Sequence, residues 1–92
     1  MAQTHAEIAR RLHRSQAAMY AAAHDLIREA ALGGTADDLR GAVDTAAKAT
    51  GRDRVGLIVM AGSFGPRFSE ARAARVRVAL TAAGLLPVQA DA

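Results

Sequence analysis

Glycine cuts this sequence into four pieces: it stands at Gly33-Gly34, at Gly51, from Gly62 to Gly65 leading into Pro66, and at Gly84 shortly before Pro87. Clusters of this kind mark turns and the ends of elements, so the chain is confined to short regular elements joined tightly. No repeat, low-complexity tract or domain-separating linker interrupts the pattern. A chain of 92 residues makes one small domain, which hides only about two-thirds of its unfolded surface.

The first piece reads as a long amphipathic helix over residues 4–32. At about 100° per residue, Ile8, Leu12, Met19, Ala22, Ala23, Leu26 and Ala30 share one stripe, with Arg10, His13, Arg14, His24, Asp25 and Arg28 opposite. Gly33 supplies a left-handed stop. A second helix spans 35–50: Thr35 caps it, Asp37 and Asp38 lie in the first turn against the helix dipole, Leu39, Val43, Ala46 and Ala47 form the buried face, and Gly51 closes it.

The third piece, "RVGLIVMAG", fits a buried strand or a short buried helix equally well by periodicity. Helices on both sides favour a core helix over 54–62. The alternative is an α+β domain with strands near 54–61 and 75–80, in which Val76, Val78 and Leu80 alternate with Arg75, Arg77 and Ala79. The fourth piece is read as a helix over 67–83, starting from Pro66 or Ser69 and stopped by Gly84, with Leu85 folding back. Ala73, Val76, Ala79, Leu80 and Ala83 make one apolar side, and Val78, with Ala71, Ala74 and Ala82, lies on the other. The fold expected is therefore all-α, a single domain of about four helices.

Large apolar side chains are scarce, with two Phe, one Tyr and no Trp, while Ala is abundant. Because Ala contributes little area at roughly 25 cal/mol per Å², the core is thin and gains from a second copy or a partner. The absence of cysteine excludes disulfides, zinc-thiolate sites and thiol nucleophiles. No secretory signal or long apolar run is present, so the expectation is a cytoplasmic protein with no membrane segment.

The net charge of +3 is unevenly spread. From residue 52 onward Arg52, Arg54, Arg67, Arg72, Arg75 and Arg77 face only Asp53, Glu70 and Asp91, so the C-terminal part carries the excess. Arg72 and Arg75 project within about 60° of each other on a helix, and Arg67 precedes them, which makes a basic ridge. Such a ridge suits nucleic acid or an acidic partner.

Residues 5–24, "HAEIARRLHRSQAAMYAAAH", resemble the helix-turn-helix of bacterial regulators. Ile8, Ala9, Leu12 and Met19 fall where that motif wants apolar or small residues, and the resemblance implies that Ser15 and Gln16 open a recognition helix, with Arg14 beside them. His13 stands where the turn usually carries glycine, and Arg14 where an apolar residue follows. "VMAGSFGPRF" is similar to the glycine-rich phosphate loop of nucleotidyltransferases without its basic follow-up, and reads as a turn; a phosphate-ligand binder using Gly62 to Arg67 is a minor third class. His13 and His24 are about 16 Å apart along one helix, too far to share a metal within the chain. Ser15, Ser63 and Ser69 lack a base and an orienting acid, so no catalytic set is assigned, and neither metal nor cofactor. The function expected is a non-enzymatic module for protein–protein interaction or self-association, a homo-oligomer or a partner-binding chain, using Arg67, Arg72, Arg75 and Val78. The alternative is a small basic DNA-binding regulator that reads through Arg14, Ser15 and Gln16.

Overall fold

The computed structural model describes residues 5–87. Among these, four helices follow one another: α1 (His5–Gly33), α2 (Ala36–Thr50), α3 (Arg54–Ala61) and α4 (Glu70–Ala82). The fold is all-α. Residues 54–61 are α3 and residues 75–80 lie inside α4, so neither strand of the α+β alternative forms.

Local chemistry sets most of the boundaries. The Thr35 hydroxyl accepts the amide of Asp38 at 3.1 Å while the Asp38 carboxylate accepts the amide of Thr35 at 3.0 Å, a reciprocal capping box that starts α2. These bonds, the backbone amide first, hold the Asp38 carboxyl below its ordinary range. Gly51 ends α2 in the left-handed region, as expected. Asp53 caps α3 through the amide of Val55. Ser69 caps α4 by accepting the amide of Arg72, so that helix starts three residues later than residue 67; Gly65 and Phe68 close a tight turn before it by exchanging backbone bonds of 2.9 and 3.1 Å. At the far end Gly84, at φ 78°, donates to Thr81 while Leu85 donates to Leu80, which is the Schellman arrangement. Leu85 folds back against the core.

Gly33 does not take the left-handed stop assigned to it. It is the last residue of α1, and the left-handed glycines among the described residues are Gly51 and Gly84. The neighbour Gly34 matters sterically instead: a Cβ there would lie 2.9 Å from the Ala30 carbonyl oxygen and 3.0 Å from the Asp38 Cβ. A side chain at residue 34 would push α2 away from the end of α1.

All four helices contribute to one core. Ile27, Leu39, Val43, Leu57, Val76 and Leu80 are fully buried, and each stabilises the fold by roughly 1.5–3 kcal/mol through burial. Small alanines, Ala23, Ala46, Ala61 and Ala83, fill between them and let the helices approach closely. The expected faces of α2 and α4 point into the core, with Ala42 added to the first and with Ala47 and Ala79 only partly buried.

On α1 the buried face differs from the apolar stripe of the sequence. Ile27 is 0 % exposed, whereas Leu26 is 39 % and Met19 is 36 % exposed, and Ala22 is exposed too. Helices α2, α3 and α4 sit against the side centred on Ala23 and Ile27, which is turned by roughly a sixth of a circle from the middle of the stripe. Tyr20, His24 and Arg28 lie half-buried on the other flank of that side. The stripe therefore runs along the edge of the bundle.

Helix α1 also outruns its partners. At about 1.5 Å per residue its 29 residues span roughly 43 Å, while the 15 residues of α2 span about half of that. Every residue from Arg14 to Met19 is exposed, and the first half-buried side chain after them is Tyr20. The N-terminal half of α1 extends past the bundle, giving the molecule a long axis of 53 Å against 31 and 23 Å.

Candidate functional site

The arginines divide into those that hold the fold together and those that do not. Arg28 reaches from α1 to the end of α3, where its Nε donates to the Ala61 carbonyl at 3.0 Å and its Nη2 to the carbonyls of Met60 and Ser63 at 3.1 and 3.2 Å. Its guanidinium also lies 4.2 Å from the centre of the Phe68 ring. Arg77 approaches the same end from α4, donating to the Gly62 carbonyl at 2.8 Å and pairing with Glu70 at 2.7 Å. Arg40 donates to the Ala83 carbonyl at 2.9 Å, beyond the last turn of α4, and pairs with Asp37. The last turns of α3 and α4 contain no cation of their own. Their free carbonyls are satisfied by guanidinium groups lent from other helices.

Arg52 lies over the Tyr20 ring at 4.3 Å and Arg54 pairs with Asp44. Among the described residues Arg10 and Arg14 on α1 are exposed and outside every hydrogen bond, ion pair and ring contact of the described chain, and from Arg52 onward the same holds of Arg67, Arg72 and Arg75. The last three are the arginines of the basic ridge singled out from the sequence. What the sequence did not show is that Arg77, on the same helix, is taken up internally.

Val78 is 70 % exposed on the outer side of α4, opposite the buried Val76 and Leu80. Beside it Ala74, Thr81 and Ala82 line a shallow depression that shares the Arg77 stem with a second one. The second, about 470 Å³, is lined by Ile58, Val59, Phe64 and Leu86 on its apolar side and by Glu70 and Arg77 on its polar side. Phe64 is 68 % exposed. The two depressions adjoin along the Arg77 stem, so apolar surface runs from α3 across the 62–68 turn to the outer side of α4, where Arg75 precedes Val78 by one turn. Val59 was missed in the sequence because periodicity cannot say which side of a mostly apolar helix stays uncovered, and Phe64 because it lies in a turn that periodicity does not reach.

The 62–68 turn is built for itself. The amides of Gly62, Ser63, Gly65 and Phe68 donate to backbone carbonyls of the same stretch or of α3, and the Ser63 hydroxyl donates to the Val59 carbonyl at 2.7 Å. Those amides are committed and do not converge on a phosphate. Gly62 allows a close approach here, since a Cβ would meet the Arg77 Cγ at 3.0 Å and that side chain would have to give way.

Arg14, Ser15 and Gln16 occupy consecutive exposed positions in the middle of α1. The helix passes through residues 13–15 without a turn, so Ser15 and Gln16 do not open a recognition helix. This departs from the helix-turn-helix geometry that their sequence resembles. The stripe residues Ile8 and Leu12, the motif position Ala9, and His13 belong to the helical backbone, but their side chains lie outside the described set. Among the described residues no group of three or more His, Cys, Asp or Glu side chains is placed to hold a metal ion, and no helix is long and apolar enough to cross a membrane.

No family model, no curated protein and no solved structure matches this chain. The functional reading rests on the surface itself.

Proposed function

We propose that the chain is a non-enzymatic protein-interaction module of the cytoplasm, and that its docking face is the outer side of α4 with the adjoining end of α3. The observation that carries this is the exposure of Val78 and Phe64 beside three arginines that have no acidic partner within the described residues. Exposed apolar surface of this kind, bordered by charge, is stabilised when a partner covers it. The partner that fits is an acidic segment with an apolar face, such as a helix laying leucines on Val78 and Phe64 and carboxylates toward Arg72 and Arg75. Arg67, late in the 62–68 turn, lines a further depression together with Phe64.

The test uses a synthetic amphipathic helix of leucine and glutamate, titrated into isotope-labelled full-length chain. Amide shifts are expected at Phe64, Arg72, Arg75 and Val78, with the affinity falling at least about tenfold in Val78→Asp and in Arg72→Glu/Arg75→Glu. Shifts confined to other helices would overturn the assignment of the face.

The same arginines support the alternative of a DNA-binding regulator, since unpaired guanidinium groups also suit phosphates. Neutralising three phosphates makes log K fall with log salt at a slope near 2.7, by about 0.9 per contact. A titration with random duplex and then genomic fragments is expected to show weak, sequence-independent binding lost near physiological salt. Tight binding to one fragment, relaxed by Gln16→Ala and weakened evenly by Arg72→Ala/Arg75→Ala, would establish the regulator instead.

A further inference from the structure

The apolar stripe of α1 stays at the edge of the bundle, and its spacing is informative. Leu12, Met19 and Leu26 recur every seventh residue, and Ile8, Ser15, Ala22 and Glu29 recur in the complementary seven-residue series. Along an unbroken helix these two series alternate by three and four, which is the seam of a two-stranded coiled coil. Among the described residues the chain's own helices leave that seam open: Ser15, Met19, Ala22 and Leu26 are exposed on α1, one side away from Ile27.

Charge decides what covers it. The segment from His5 to Met19 carries Arg10, Arg11 and Arg14 against Glu7, whereas Tyr20 to Gly33 carries Asp25 and Glu29 against Arg28, whose guanidinium is engaged at the end of α3. A parallel pair of α1 helices would set the basic segments side by side. An antiparallel pair sets each basic segment against the acidic one. An open groove of about 570 Å³ also runs beside the acidic half, between α1 and α2, lined by Leu26, Glu29, Ala30, Asp38, Ala42 and Thr45. Its apolar floor and carboxylate rim match a helix with Ile8 and Leu12 on one series and arginines beside them.

We infer that α1 pairs antiparallel with α1 of a second copy, the N-terminal half of each lying along the α1–α2 groove of the other. The register that brings the two series together sets Ile8 across from Leu26 of the second copy, Leu12 across from Ala22, and Met19 across from Ser15. It also places Arg11 across from Asp25 twice, related by the two-fold axis. Asp25 is available to serve, since among the described residues its ion pair is a 3.7 Å contact with Arg28 one turn along, and two-thirds of its side chain is exposed. This surface is separate from the α4 face, so either assignment can fail without the other.

Sedimentation equilibrium of the full chain is expected to give a dimer at about 100 µM, with a dissociation constant in the micromolar range. Arg11→Glu and Asp25→Arg alone should each weaken it at least about tenfold, and the two together should restore it to within about threefold, because the reversed pair is again opposite in sign. Val78→Asp should leave it unchanged. The absence of cysteine allows the orientation to be read directly: Ile8→Cys mixed with Leu26→Cys should form a disulfide-linked dimer on oxidation far faster than Ile8→Cys with itself. A monomer at that concentration, a dimer indifferent to the charge reversals, or faster linkage of Ile8→Cys to itself would each overturn the pairing.

Discussion

Arg28 and His24 sit one turn apart on α1 and share a half-buried setting. Arg28 serves three carbonyls and a ring at once, which uses the planar fork and the face of the guanidinium together; an ammonium has neither. Arg28→Lys is therefore expected to cost about 2 kcal/mol, seen as a lower urea midpoint at unchanged slope, and Arg28→Ala somewhat more. His24 is held below its ordinary value, first by burial, then by the Arg28 charge, with Asp25 opposing and Arg52 adding to the effect. The unfolded chain thus binds a proton at His24 more readily than the folded one. Stability is intact above pH 6.5, the ordinary histidine value, and is lost as the pH falls toward the lower folded value. Between about pH 7.5 and pH 5.5 the thermal midpoint should drop, and His24→Gln should flatten that drop.

At the scale of elements, α2 was legible almost residue by residue, because Thr35, Asp38 and Gly51 act on their own helix within a few positions. Helix α3 was legible only as an apolar element: its run of Val55, Leu57, Ile58 and Val59 satisfies two periodicities, and its arginine cap comes from residue 28, far away in the chain. The buried face of α1 was misread for a similar reason. Leu26 and Ile27 are adjacent, and only the placement of the other helices decides that Ile27 goes inside. That Arg72, Arg75 and Val78 face outward was readable because α4 is apolar on two sides and its buried set, Ala73, Val76 and Leu80, forms a coherent half. The N-terminal half of α1 has its own consequence. An isolated stretch of about 15 residues is a marginal helix in water, so its stability should follow the pairing proposed above. Amides of Arg14 to Met19 are expected to exchange more slowly as protein concentration rises through the dimer range, while those of Ile27 and Val43 stay unchanged. Exchange independent of concentration would mean that the extension is stable by itself.

Considered whole, the molecule joins a thin core to a set of long-reaching arginines. Among the described residues the fully buried side chains are few and of moderate size, and no aromatic residue is one of them. Side chains from α1 and α2 finish helices that come later: Arg28 closes α3, Arg40 closes α4, and Asp44 holds Arg54 at the start of α3. Each of these contacts runs from the stretch before Gly51 to the stretch after it. The exposed Gly51-Arg52-Asp53 turn carries the covalent link between the two stretches, but little of what aligns them. The protein is in this sense two complementary halves, an N-terminal helical hairpin that supplies the caps and a C-terminal pair of helices that receives them. Fragments divided at that turn would retain the groups by which they recognise each other.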